Sequence, residues 1–137
     1  MSKGLILIRG LPGSGKSTVA KNLASSTMGY TRHIETDMFW GPNYEFDISR
    51  IKEAHAWCQS ETEKWLNDDN IVIVSNTFTT AFELLPYFDI AKKYNVRPQI
   101  ILCQGSFGSV HNVPAEVLEK MAARFEYNID HLFARLT

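Results

Sequence analysis

Gly10-Leu11-Pro12-Gly13-Ser14-Gly15-Lys16-Ser17-Thr18 is a glycine-rich run that fits the Walker A pattern, with Gly10, Gly15, Lys16 and Ser17 at the fixed positions. Each residue type has a physical job. The glycines lack a Cβ, so the backbone can turn sharply and approach a phosphate closely. The N–H groups freed in this way, with the helix that starts here, form a concave donor site for anions. Lys16 adds a point charge that reaches β- and γ-phosphates, and the Ser17 hydroxyl is placed to ligate Mg²⁺. Residues 11–18 are therefore the expected ATP-binding segment, with Ser17 as the metal ligand.

The flanks agree with this reading. Leu5, Ile6, Leu7 and Ile8 are a continuous apolar run, as in a strand buried on both faces. After the run come Val19, Ala20, Leu23 and Ala24, an apolar stripe at helical spacing. Strand, glycine loop and helix stand in the required order.

A length of 137 residues suits one domain spanning 1–137. Charged residues are 21% and hydrophobic ones 45%, ordinary for a soluble globular chain. No apolar run reaches the length of a membrane span, and the N-terminus is expected to enter a strand almost at once, so no signal peptide is expected. Cys58 and Cys103 lie in apolar contexts and read as reduced core residues, so the expected compartment is the cytoplasm. The formal net charge of −1 disfavours tight, nonspecific binding to duplex nucleic acid, while leaving room for a local basic pocket that receives one strand end.

Further strands are expected at 31–35, 71–74 and 100–103, separated by helices at 48–67 and from about residue 81 to Tyr94. Thr80 and Glu83 form a capping box at the start of the second of these, and Pro86 should kink it. A last helix opens with Pro114 as its first residue, its Val117, Leu118, Met121 and Phe125 facing the core. The tail from Asn128 is expected to be helical. Alternating strands and helices predict an α/β P-loop NTPase architecture of three layers, α/β/α, around a mostly parallel sheet of four or five strands. The Walker A strand should be central. Asp37 falls just past the second strand, at the edge where open parallel sheets bind ligands.

Four segments together resemble the polynucleotide-kinase-like P-loop kinases. They are residues 10–18, Ile34-Glu35-Thr36-Asp37, Ser75-Asn76-Thr77, and the run from Asn112 to Met121. The first alone is specific; the others count by order and spacing. The resemblance implies transfer of the γ-phosphate of ATP, with Mg²⁺, to a hydroxyl acceptor, the 5′-hydroxyl of a polynucleotide. A single-stranded 5′ end is then the expected partner. It also implies Asp37 as general base. A carboxylate at this edge can take the proton of an attacking hydroxyl and orient it. The alternative readings are that it holds Mg²⁺ through water, or caps the following turn.

The chain departs from that family in three places. Trp40 stands where an acceptor-binding arginine is expected; its ring can stack on a base, or close its loop onto the core. Ser75 and Asn76 replace the Walker-B-like carboxylate, so metal binding is expected to rest more on Ser17 and the ATP phosphates, with Asp37 as a further candidate. Residues 104–112 carry no Lys or Arg where the family has a lid arginine. His111 and Asn112 can donate hydrogen bonds there, and Arg124 can supply the charge or pair with Glu119 or Glu126. Arg50 and His55, on the helix that borders the acceptor in small kinases, are further candidates for substrate contact. Lys92, Lys93 and Arg97 read as charges that favour a helix C-terminus. Two rival functions stay open: a kinase of a nucleoside, nucleotide or other small molecule, and an ATP-binding module with little or no catalysis.

Overall fold

The structure is a computed structural model; it describes residues 3–26, 30–108 and 113–137. His111 and Asn112 lie outside the described residues. Four strands, β1 (Gly4–Arg9), β2 (Thr31–Ile34), β3 (Ile71–Asn76) and β4 (Gln99–Leu102), form one sheet in the order β2-β3-β1-β4. All three pairings are parallel, with Leu7 opposite Val74 and Ile100, and Ile34 opposite Val74. The Walker A strand is interior, as expected. Four helices, α1 (Lys16–Ser26), α2 (Ile51–Asn67), α3 (Ala81–Lys93) and α4 (Ala115–Arg124), follow the strands in alternation.

The strands present alternate residues to opposite faces. Leu5, Leu7, Val72, Val74 and Ile34 point to one face, where they pack with Leu66 and Cys58 of α2, Leu84 and Phe88 of α3, and Ile129 and Leu132 of the tail. Ile6, Ile8, Ile73 and Ile101 point to the other, where Val19, Ala20, Leu23 and Ala24 of α1 cover them. The stripe read from the sequence is thus the buried face of α1. Helices on both faces make the three layers.

Several boundaries differ from the sequence reading. Strand β3 runs on through Ser75 and Asn76, so these polar residues belong to the sheet and not to the loop after it. The segment after β2 is a tight helical turn, Thr36–Trp40, which holds Asp37. A second such turn, Ile48–Arg50, precedes α2, with the Asp47 carboxylate accepting the Ser49 N–H at 3.0 Å. Helix α3 continues through Pro86, and its capping box is present: Glu83 accepts from the Thr80 N–H at 3.2 Å. Pro114 caps α4 from just outside, its carbonyl accepting from the N–H groups of Val117 and Leu118.

Helix α4 overturns one expectation. None of its residues is buried; Val117, Leu118 and Met121 are only half-covered, and Phe125, just past the helix, is the residue that reaches the core. The apolar spacing that predicted a core face is genuine. Among the described residues, that face is covered only in part. Among the described residues, no helix is long and apolar enough to cross a membrane.

Candidate functional site

The turn from β1 into α1 brings the glycine-rich run to the C-terminal edge of the sheet. Gly10 must be glycine: a Cβ there would lie 2.5 Å from the Cys103 carbonyl and from Ser14 Oγ. Gly13 has φ 80, and a Cβ on it would lie 2.6 Å from the Gly108 carbonyl. The Phe107 N–H donates to the Gly13 carbonyl at 2.8 Å, and the ring of Phe107 sits over Gly15. Residues 104–108 therefore lie across the run, with Phe107 exposed at its mouth.

Lys16 Nζ donates to the Leu11 carbonyl at 3.0 Å, folded back on its own loop. Burial pushes the Lys16 ammonium below its ordinary value, opposed by the charges of Glu35, Cys103 and Asp37. Ser14 is buried, and its hydroxyl finds no partner among the described residues. It lines a cavity of about 170 Å³ shared with Leu11, Cys103, Gln104 and Tyr127.

Asp37 is exposed at the same edge and accepts from the Tyr44 hydroxyl at 3.3 Å. Burial first, then the charge and hydrogen bond of Asp37, push the Tyr44 phenol up to about 12. Tyr44 has φ 48, a strained place for a residue with a Cβ.

Glu35 had no role assigned from sequence, although it sits inside the quoted Ile34–Asp37 segment. It is the best-connected acid of the edge. It accepts from the Ser17 hydroxyl, and from the Ser75 hydroxyl at 2.6 Å. His33 Nε2 lies 2.8 Å from Ser75 Oγ and 3.3 Å from the Glu35 carboxylate. The one proton of Ser75 is given to Glu35, so Nε2 is the donor toward Ser75. Burial raises the Glu35 carboxyl, but the hydrogen bonds from His33, Ser17 and Ser75 and the His33 charge outweigh it and hold it at about 2. The signal was strand parity. Counted back from Ser75 and Ile73, His33 and Glu35 share the α1 face, where Ser17 begins its helix.

Other sequence candidates fare differently. Trp40 is only 5% exposed, packed edge-on between Phe39 and Phe46 at 5.2 and 5.0 Å. Stacking on a ligand needs a free ring face, so of its two readings the closure of the loop onto the core is the one that the geometry meets. Arg50 pairs with Glu53 at 2.9 Å and lies over the Phe39 ring. His55 is exposed on α2. Arg124 donates from Nε to the Thr79 hydroxyl at 3.2 Å. That places it against the loop after β3, whose Thr77 carbonyl accepts from the Gly10 N–H. Lys93 pairs with Glu63, and Arg97 lies over the Phe133 ring. These two basic residues are engaged in contacts away from the glycine-rich run. Cys58 and Cys103 are free thiols.

Arg9 was also missed. It is 1% exposed, and its guanidinium donates from Nε and Nη2 to the Phe78 carbonyl at 3.0 and 2.7 Å. An arginine among strand hydrophobics gives no hint of its partners until the loop after β3 is placed.

The donor set suits a hard cation. Ser17 offers a hydroxyl oxygen whose proton is already held by a carboxylate. Among the described residues no cluster of three or more His, Cys, Asp or Glu is gathered to cage a metal. Mg²⁺ fits such a site, because it is bound by few protein oxygens and keeps waters and substrate phosphates in its shell.

The AAA domain family model matches residues 5–107. The chain belongs to this family. Human (Homo sapiens) NEDD4-binding protein 2 is 34% identical to it over 95 residues, 68% of this chain. The chain spans only 5% of that relative's length. Among solved structures, Chaetomium thermophilum Kti12, in complex with ADP-AlF3, superposes with a TM-score of 0.71 at 17% identity over 89% of this chain and 80% of that one. The Pnkp1/Rnl/Hen1 complex gives 0.63 at 20% identity, over 87% of this chain and 38% of that one. A gluconokinase from Sinorhizobium meliloti 1021 gives 0.62 at 21% identity, over 90% and 75%. The fold of this AAA domain is that of the P-loop kinases.

Proposed function

We propose that this chain is an ATP-dependent kinase whose acceptor is a hydroxyl, best matched by the 5′-hydroxyl of a polynucleotide. The observation that carries the reading is that the glycine-rich run and the exposed Asp37 follow two parallel strands, β1 and β2, at the same C-terminal edge of the sheet. A nucleotide cradle and an exposed acid side by side are what phosphoryl transfer needs, since that reaction depends on positioning and charge stabilisation.

In this reading the N–H groups of residues 13–18 and Lys16 hold the phosphates. The cavity beside Leu11, Gln104 and Tyr127 receives the base of the nucleotide. Mg²⁺, when bound, neutralises charge on the phosphate oxygens, and Ser17 is its protein ligand. Asp37 orients the acceptor hydroxyl and takes its proton as the new O–P bond forms and ADP departs. The Tyr44 hydroxyl fixes the carboxylate that does this. Arg124, near the start of the glycine run, adds positive charge. Arg50 and His55 border the acceptor side.

The polynucleotide acceptor is supported by the order of the four sequence segments and by the likeness to the Pnkp1/Rnl/Hen1 complex, an RNA repair complex. A second reading, a small-molecule acceptor, is favoured by the net charge of −1 and by the likeness to the gluconokinase. Labelled ATP with a 5′-hydroxyl oligonucleotide, as DNA and as RNA, separates the two. Label on the oligonucleotide that Asp37→Asn abolishes upholds the first reading. Transfer to gluconate or a nucleoside with none to either oligonucleotide replaces it with the second.

A further inference from the structure

In P-loop enzymes the serine or threonine that meets Mg²⁺ is accompanied by a carboxylate, usually an acid at the end of the strand beside the loop. In this chain that strand, β3, ends in Ser75 and Asn76. Ser75 does not act as a neutral substitute. Its hydroxyl donates to Glu35 at 2.6 Å, and Glu35 also receives the proton of Ser17. The carboxylate has been supplied from one strand further away.

We infer that Glu35, at the end of β2, is the metal-positioning residue of this site: it holds the Ser17 hydroxyl so that its oxygen lone pairs face the cation, while Ser75 and His33 fix Glu35. This rests on the kinase reading above. The chemistry is complete at each atom. Ser17 spends its one proton on Glu35, which leaves its oxygen free to bind a cation. One oxygen of Glu35 accepts from the Ser17 and Ser75 hydroxyls, and His33 Nε2 lies 3.3 Å from that same oxygen. Asp37 is left for the acceptor. It lies two residues on, past the strand and inside the next turn, exposed and beside Tyr44. The Thr36 N–H between them donates to the Asn76 side chain at 2.9 Å, which locks the β2 end onto β3. The two acids therefore divide the work: Glu35 positions the metal ligand and Asp37 the hydroxyl.

The test uses Mn²⁺ as the probe cation. It is titrated into the full chain at saturating ADP, with free Mn²⁺ followed by electron paramagnetic resonance. ADP affinity in EDTA is measured in parallel. Glu35→Gln should weaken Mn²⁺ roughly 10- to 100-fold, the usual effect of losing a group that orients a ligand. ADP affinity in EDTA should be unchanged. Asp37→Asn should leave Mn²⁺ affinity unchanged. Adding Ser75→Asp to Glu35→Gln returns an acid to β3 and should restore Mn²⁺ binding, which a purely structural role for Glu35 would not predict. If Glu35→Gln fails to fold, Glu35→Asp, one methylene short, should still weaken Mn²⁺. Unchanged Mn²⁺ affinity in a folded Glu35 variant overturns the assignment, as does an equal loss in Asp37→Asn. A wild-type chain that binds no ADP sinks the kinase reading and this inference together. One that binds ADP and shows the Mn²⁺ pattern, yet transfers no phosphate, sinks only the kinase reading.

Discussion

The guanidinium of Arg9 lies 4.4 Å from the centre of the Phe125 ring. This contact joins the strand that feeds the P-loop to the end of α4. The neighbouring Glu126 strengthens it: its N–H donates to the Thr79 carbonyl at 2.7 Å, and its carboxylate accepts from the Ala81 N–H at 2.7 Å. Burial pulls the Arg9 guanidinium below its ordinary value, and the charges of Glu83 and Glu126 oppose the shift. The charge is affordable inside the fold because carbonyls, a ring and two acids surround it.

Replacing Arg9 by Met should destabilise the chain by about 3 kcal/mol, since the carbonyl of the buried Phe78 loses its charged donor. Arg9→Lys should recover only part of this, because one ammonium cannot reproduce the two-nitrogen grip. Urea unfolding that gives a lower midpoint at an unchanged slope checks it. A midpoint within error of the parent would show the contacts to be energetically idle.

Asp37→Asn should lower phosphoryl transfer by roughly 100- to 10,000-fold, the range for a lost general base. ADP binding should stay near the parental value. Lys16→Ala should weaken both. Single-turnover transfer and equilibrium nucleotide binding, measured on the same preparations, separate these effects.

The Glu35 carboxyl makes stability depend on acid. Its folded value is about 2, below an unfolded value near 4.5. A depressed acid stabilises the fold fully above the unfolded value, and this contribution fades as pH falls from 4.5 toward 2. Unfolding free energy measured across that window should fall less steeply for Glu35→Gln than for the parent. Identical slopes would mean that the carboxylate is not held as described.

Trp40→Ala should cost about 3–5 kcal/mol, as for other large buried aromatics. Phe46→Ala, on the exposed side of the same cluster, should cost far less. Thermal melts give the ranking. A Trp40→Phe variant that folds and still phosphorylates its acceptor with an unchanged KM would confirm that the ring serves packing.

Helix α4 has no buried residue, so its amides should exchange with solvent faster than those of β1 and β3, which lie inside the sheet. Hydrogen–deuterium exchange read by peptide mass should show residues 115–124 labelled well before residues 4–9 and 71–76.

Much of this was readable from residues alone. The apolar run before Gly10 and the stripe after Lys16 are local patterns, and both elements formed where those patterns put them. The partner of a side chain across the sheet is not local. Glu35 is one acid in a chain with 15 of them until β2 is laid beside β3. Only then does Ser75 come within reach. Trp40 was ambiguous for the same reason, because an aromatic on a loop is packed or open according to what folds over it. Helix α4 misled in the opposite sense. Its spacing promised a buried face, and burial depends on a second surface that no spacing can declare.

Glu35 and Asp37 ride on the same few residues, at the junction of a strand and one tight turn. Inserting or deleting a single residue ahead of Thr36 would turn Glu35 to the opposite side of the sheet and carry Asp37 out of register with it. This junction should therefore tolerate exchange of its side chains far better than any change in its length.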